Sequence, residues 1–205
     1  DDHRIEGNLI YGAMQELADG AAIYITFCKR ITVRGNFVRD VQQAGGYGSS
    51  AYYLDEQAED CLVEGNLSLR VGTPSHNHMA RKNTLRNNVF ITDGDARITF
   101  PRSSDYRLEN NVIWAKGKLV VTNPKGIGLA RGNVVYTGAG KAEGVELADY
   151  RQAGTSSLDK SEGWLLADPK LLEFEQGLVR FAPDSPSAKL GIRPIDVRSA
   201  GRKRD

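Results

Sequence analysis

Residues 52–57 read YYLDEQ and residues 75–79 read SHNHM, and between them they gather two tyrosines, two carboxylates and two of the three histidines. Asp55 and Glu56 are adjacent carboxylates behind a tyrosine pair, and Asp19 is a third carboxylate in the preceding LADGAAIY segment. If SHNHM is extended, His76 and His78 project from the same side, because side chains alternate along a strand. Two carboxyl groups, one kept protonated and one ionised, are the requirement for breaking a glycosidic bond. Neighbouring aromatics and charges can separate their pKa values. Asp19 and Asp55 are therefore the candidate catalytic pair, with Glu56 as substitute. Glu16, Tyr24, Tyr53, His76, His78 and Arg102 are candidate substrate contacts. The competing reading is that these carboxylates only solubilise loops.

Other chemistry competes with this reading. His76 and His78 lack a third histidine nearby for a zinc site, since His3 is far upstream, so no metal is assigned. An Asp or Glu could complete a set with the histidine pair, which leaves a metal there open, and Asp93 and Asp95, in TDGDAR, form either a calcium loop or a plain turn. Lys82, Arg81 and Arg102 could serve as the base of a polysaccharide lyase. A non-catalytic carbohydrate-binding solenoid needs none of these roles.

The elements that position these residues follow from a repeat. Six copies align on one asparagine: IEGNLI, VRGNFV, VEGNLS, LRNNVF, LENNVI and ARGNVV, with Asn8, Asn36, Asn66, Asn88, Asn111 and Asn133 separated by 28, 30, 22, 23 and 22 residues. Apolar residues flank each at period two, which is strand patterning at a solenoid's spacing. A Gly-Asn or Asn-Asn pair in every copy excludes a helical repeat, and the run expected of leucine-rich repeats is missing. The pattern predicts an all-β, right-handed parallel β-helix of about six coils over residues 1–140. The asparagines hold turns and stack into a ladder. A further strand per coil is expected over 21–27, 50–56, 75–81, 96–102 and 118–124. In register, Asp55 stands over Thr26 and beside the His-Asn-His segment. The first two coils carry extra residues in GAMQELADG and QQAGGYGSS, so a cleft is expected beside coils one to three.

Residues 141–205 lose the repeat. A short helix is expected over 146–154, a polar connector over 155–163, and a tail that folds back to cover the last coil. The N-terminal coil shows no cap, which points to upstream coils of a longer parent chain or another cover for that end. Balanced charge, 27 basic against 26 acidic residues, gives no reason to expect nucleic acid or an anionic membrane as partner. The basic GRKRD end reads as a frayed tail. Cys28 and Cys61 occupy different positions in their repeats, which predicts two free thiols that do not stack.

The order LADGAAIY, YYLDEQAEDCLVEGNL, SHNHMARKNTLRNNVF resembles the bacterial right-handed β-helix glycoside hydrolases of family 141 and, more distantly, the β-helix xylosidases of family 120. The ending LLADPKLLEFEQGLVRFAPDSPSAKLGIRPID resembles their usual C-terminus, with Ser187 in place of the usual alanine. The resemblance implies a secreted or periplasmic glycoside hydrolase acting on plant or algal oligo- or polysaccharide with paired acidic residues, carried onto Asp19 and Asp55. Those relatives are far longer, with many coils before this point.

Overall fold

The structure, a computed structural model, describes residues 1–42, 48–150 and 163–201. The middle of the second insertion, the second half of the expected helix, nearly all of the connector and the end of the basic tail lie outside the described residues.

Each coil contains three strands. The first has β1 (Arg4–Glu6), β2 (Leu9–Tyr11) and β3 (Gly20–Ile25), and the second has β4 (Thr32–Arg34), β5 (Phe37–Arg39) and β6 (Ser49–Leu54). The third has β7 (Leu62–Glu64), β8 (Leu67–Leu69) and β9 (Ser75–Asn77), and the fourth β10 (Thr84–Arg86), β11 (Val89–Thr92) and β12 (Ala96–Thr99). The fifth has β13 (Tyr106–Glu109), β14 (Val112–Ala115) and β15 (Leu119–Thr122), and the sixth β16 (Ile127–Arg131), β17 (Asn133–Thr137) and β18 (Ala142–Glu143). Like strands stack into three parallel sheets: β1-β4-β7-β10-β13-β16, then β2-β5-β8-β11-β14-β17, then β3-β6-β9-β12-β15-β18. Two short strands, β19 (Ala148–Asp149) and β20 (Trp164–Leu166), extend the second sheet past β17. The solenoid thus runs beyond residue 140, and Ala148–Asp149 is strand where a helix was expected. The expected parallel β-helix is the fold.

The asparagine pattern marks the corner between the first two sheets. The residue before each asparagine is left-handed, at φ 66° for Gly7, 62° for Gly35 and 49° for Asn87, which is why only glycine or asparagine stands there. The next asparagine side chain points inward. Asn66 Oδ1 accepts from the backbone N–H and Nδ2 of Asn36 at 2.9 and 3.0 Å, while Asn66 Nδ2 donates to Val33 O and Asn88 Oδ1. The same contacts repeat through Asn88, Asn111 and Asn133.

Inside the coils, Val33, Val63, Leu85 and Leu108 from the first sheet meet Val38, Phe90 and Ile113 from the second and Tyr52 and Ile98 from the third. The second sheet is apolar outside as well. Phe37, Leu67, Leu69, Val89, Ile91, Val112 and Val134 pack against Val179, Phe181, Ile192, Ile195 and Val197 of the tail. That tail forms an antiparallel sheet of β21 (Leu171–Glu173), β22 (Leu178–Phe181) and β23 (Ile195–Asp196), with a single helical turn, α1 (Pro186–Lys189). It therefore lies along the side of the solenoid, reaching back to Gly7 through Gly201, rather than only over the last coil. The physical cause is an outer face that burial alone can satisfy. Among the described residues the tail packs on the second sheet and not on the outer face of the third.

Candidate functional site

The third sheet sets the site by register. Tyr24 pairs with Tyr53, Tyr53 with His76, and His76 with Thr99, forming one row across four coils. Alternation turns this row outward, because the neighbouring positions Ile23, Tyr52, Ser75 and Ile98 are buried within. One step beyond Ile25, Leu54 and Asn77 in the strand direction lie Thr26, Asp55 and His78. Equal coil geometry, and no local motif, brings Asp55 to His78.

The rings of Tyr53 and Tyr24 meet edge to face at 4.8 Å, and those of Tyr53 and His76 at 4.4 Å. Tyr53 is consequently covered, whereas Tyr24 stays 45% exposed. Tyr24 Oη donates to Asp55 Oδ2 at 2.5 Å, and Asp55 Oδ1 lies 2.8 Å from His78 Nδ1. His76 Nδ1 lies 2.5 Å from Thr99 Oγ1. The two imidazoles are nearly parallel, with centroids 6.4 Å apart.

Burial opposes the charge on Asp55, but hydrogen bonds from Tyr24, His78 and the Glu56 backbone outweigh it and hold the carboxyl below its usual range. An ionised carboxylate only accepts, so His78 Nδ1 carries a proton and Nε2 is the atom left for a ligand. The same bond to Asp55 pushes the Tyr24 phenol up to about 12. Burial raises Tyr53, and burial followed by the charge of His78 lowers His76.

Asp19 has φ 62° just before β3, with its backbone N–H on Gly48 O. Its charge acts on Tyr24, Tyr53 and His76, so it borders the same surface. Yet β3 and β6 run six residues in register between the levels of Asp19 and Asp55, on the order of 20 Å along the backbone. The structure forms no Asp19–Asp55 hydrogen bond among the described residues. Glu56 uses its carbonyl, accepting from Phe27 N–H and Thr26 Oγ1. Glu16 is exposed in the loop before β3, and Arg102 is exposed in the turn after β12. Arg81 and Lys82, the other lyase-type bases, are both drawn to Glu59, which Lys29 also binds, and that carboxyl falls to about 2. Thr99 is the site residue the sequence did not single out. Its only signal was its place in register after His76.

Asp93 pairs with Lys116, and Asp95 accepts from the Lys118 backbone N–H, so TDGDAR is a turn whose carboxylates are already engaged. Calcium gains no support. No group of three or more His, Cys, Asp or Glu side chains is placed to hold a metal ion among the described residues.

Fold and surface define a right-handed parallel β-helix with an open, aromatic and acidic outer face on its third sheet. The chain belongs to the periplasmic copper-binding protein (NosD) family, whose pattern matches residues 2–148. That membership agrees with the expected secreted or periplasmic location and with the fold, but gives no support to glycoside hydrolase families 141 and 120. No curated protein matches the chain, and no solved structure matches it. No helix among the described residues is long and apolar enough to cross a membrane.

The copper in the family description has no matching donor set here. His76 and His78 are the closest candidates, but both Nδ1 atoms are engaged. No third His, Cys, Asp or Glu side chain is grouped with both of them to complete a donor set among the described residues. The described residues do not fit a copper centre, and no step is routed through one.

Proposed function

We propose that this chain is a periplasmic carbohydrate-binding β-helix whose ligand, an oligo- or polysaccharide, lies across the outer face of the third sheet. The observation that carries this reading is the Tyr24–Asp55–His78 chain of hydrogen bonds, set beside the exposed Tyr24 ring. A sugar offers a face of C–H groups and a rim of hydroxyls. The Tyr24 ring suits the first, and Asp55, His78 and His76 suit the second. Asp55 held ionised is a strong acceptor for a sugar hydroxyl.

A second reading is catalytic, and the His78–Asp55 pair favours it: an imidazole fixed by a carboxylate can pass a proton through its other nitrogen. Glycoside hydrolysis by Asp19 and Asp55 would instead need carboxyl groups roughly 5–9.5 Å apart, and the intervening strand length weighs against that pair. Calorimetric titration with neutral and acidic plant and algal oligosaccharides tests binding. Saturable binding that is lost in Asp55→Asn supports the proposal, and absence of binding to every glycan class sinks it. Turnover of aryl glycosides or release of reducing ends by the same samples would move the assignment to the second reading.

A further inference from the structure

The corner between the third and first sheets brings together two thiols that the repeat positions kept apart. Cys28 lies three residues past β3, and Cys61 one residue before β7. Lys29 bridges Glu59 in parallel, Cys28 O accepts from Glu59 N–H at 3.0 Å, and Ile31 O accepts from Leu62 N–H at 2.8 Å. The two coils therefore follow one another around this corner, with Arg30 at φ 56° above Asp60 at φ 55°. Those left-handed residues turn the chain sharply, so side chains on either side of the bend converge on the interior. Cys61 belongs to the buried cluster against which Cys28 packs, and the two side chains interact directly. The two cysteines do not stack in register, as their repeat positions predict, but the bend brings their side chains together. Both are free thiols in this structure.

We propose that Cys28 and Cys61 are a disulfide-forming pair that staples the first coil to the second. The family's periplasmic setting supplies an oxidising compartment, where such bonds form and persist. In register Cys28 stands opposite Ala58 and Cys61 opposite Ile31, so the two are diagonal partners across the bend, and it is the direct contact of their side chains that brings the sulfurs within reach of a disulfide. A cleft of about 470 Å³ lined by Phe27, Cys28, Lys29, Glu59 and Met79 exposes Cys28, whereas Cys61 is buried.

The exchange runs in two steps. The Cys28 thiolate attacks a disulfide donor, a dithiol oxidoreductase or oxidised glutathione, and expels one donor thiol. The Cys61 thiolate then attacks Cys28 Sγ and expels the second. Two protein thiols lose two protons and two electrons, and the donor disulfide becomes two thiols. Burial raises both thiol pKa values, to about 12 for Cys61, so the exchange is slow in the folded state and takes place during folding. Tyr24 lies four residues before Cys28 and Asp55 six before Cys61, so the staple joins the two coils that the Tyr24–Asp55 hydrogen bond also spans.

The test is refolding of the full chain from denaturant in a glutathione redox buffer, followed by quenching and peptide mass mapping without reduction. The expected result is a monomer with no titratable thiol and a Cys28–Cys61 cross-linked peptide. Reduction should lower its Tm by about 5–15 °C, the scale for closing a loop of this length in a chain of this size. Cys28→Ala should abolish that sensitivity to reductant while keeping the β-sheet circular dichroism. Two free thiols after refolding, glutathione adducts on either cysteine, or chains cross-linked to one another would each overturn the proposal.

Discussion

The asparagine ladder and the outer face of the third sheet are made by the same coils and the same stacking rule, yet they use it in opposite ways. In the ladder each coil offers the same side chain, and each amide closes on the next: Asn36 on Asn66, Asn66 on Asn88, Asn88 on Asn111. The outer row offers Tyr24, Tyr53, His76 and Thr99 in register, with Thr26, Asp55 and His78 beside it. Repetition yields a self-satisfied, buried structure with nothing left to offer a ligand. Substitution at equal positions yields donors and acceptors that face solvent. In a solenoid, chemistry is found where the repeat changes residue type without changing its backbone.

The largest expected effect breaks the repetitive side. Asn88→Ala strips partners from the Asn66 N–H and Nδ2, Val63 O and Asn111 Oδ1 at once. A loss of about 3–5 kcal/mol in urea unfolding is expected, since each stranded buried group costs about 1–3 kcal/mol and some relax. Asn8→Ala, at the exposed end of the ladder, should cost about 1 kcal/mol or less. Asp55→Asn is the contrast: about a tenfold loss of glycan affinity, near 1.4 kcal/mol, at a stability change below about 1 kcal/mol.

Acid should separate the regions too. Burial and His78 lower the His76 pKa, so the unfolded chain binds the proton more readily than the fold. The resulting stability is present above the unfolded value near 6.5 and is lost as pH falls from there through the folded value. The Tm should therefore drop on acidification from pH 7 to below 6, and His76→Gln should flatten that part of the curve. The ladder carries no titrating group and adds nothing there.

Tyr52 and Tyr53 sharpen the comparison within two residues. Tyr52 Oη is buried without a hydrogen-bond partner among the described residues, so Tyr52→Phe should be neutral or stabilising by up to about 1 kcal/mol, with glycan binding unchanged. Arg102→Ala is the smallest effect on stability, within about 0.5 kcal/mol, because the side chain is exposed in the turn after β12.

Much of this was legible in the sequence, and for a physical reason. A left-handed corner admits few residues, so the Gly-Asn and Asn-Asn pairs announced both the period and the fold. Once coils were aligned, Asp55 fell beside His78 through backbone geometry alone. Side-chain direction was not legible: nothing in the sequence says that the Tyr24 hydroxyl turns to Asp55, or that Arg81 and Lys82 turn to Glu59 instead. The tail's resting place had a signal that went unread. In VFI, VIW and VVY large apolar residues stand on both sides of the alternation, and in LSL both outward residues are leucines, the mark of strands covered on their outer face as well. Cys28 and Cys61 are free thiols as expected, but their contact was not legible, because position in a linear repeat says nothing of a bend that folds two positions together.

The central claim, that the third sheet's outer face receives a glycan, is tested most directly by the three histidines. His76 and His78 lie on the proposed surface, while His3 lies outside it as an internal control. Imidazole resonances should be followed by NMR during titration with an oligosaccharide. Saturable shifts of His76 and His78 with His3 unmoved are the predicted result. Bound glycan that leaves His76 and His78 unshifted would contradict the account and place the ligand elsewhere on the solenoid.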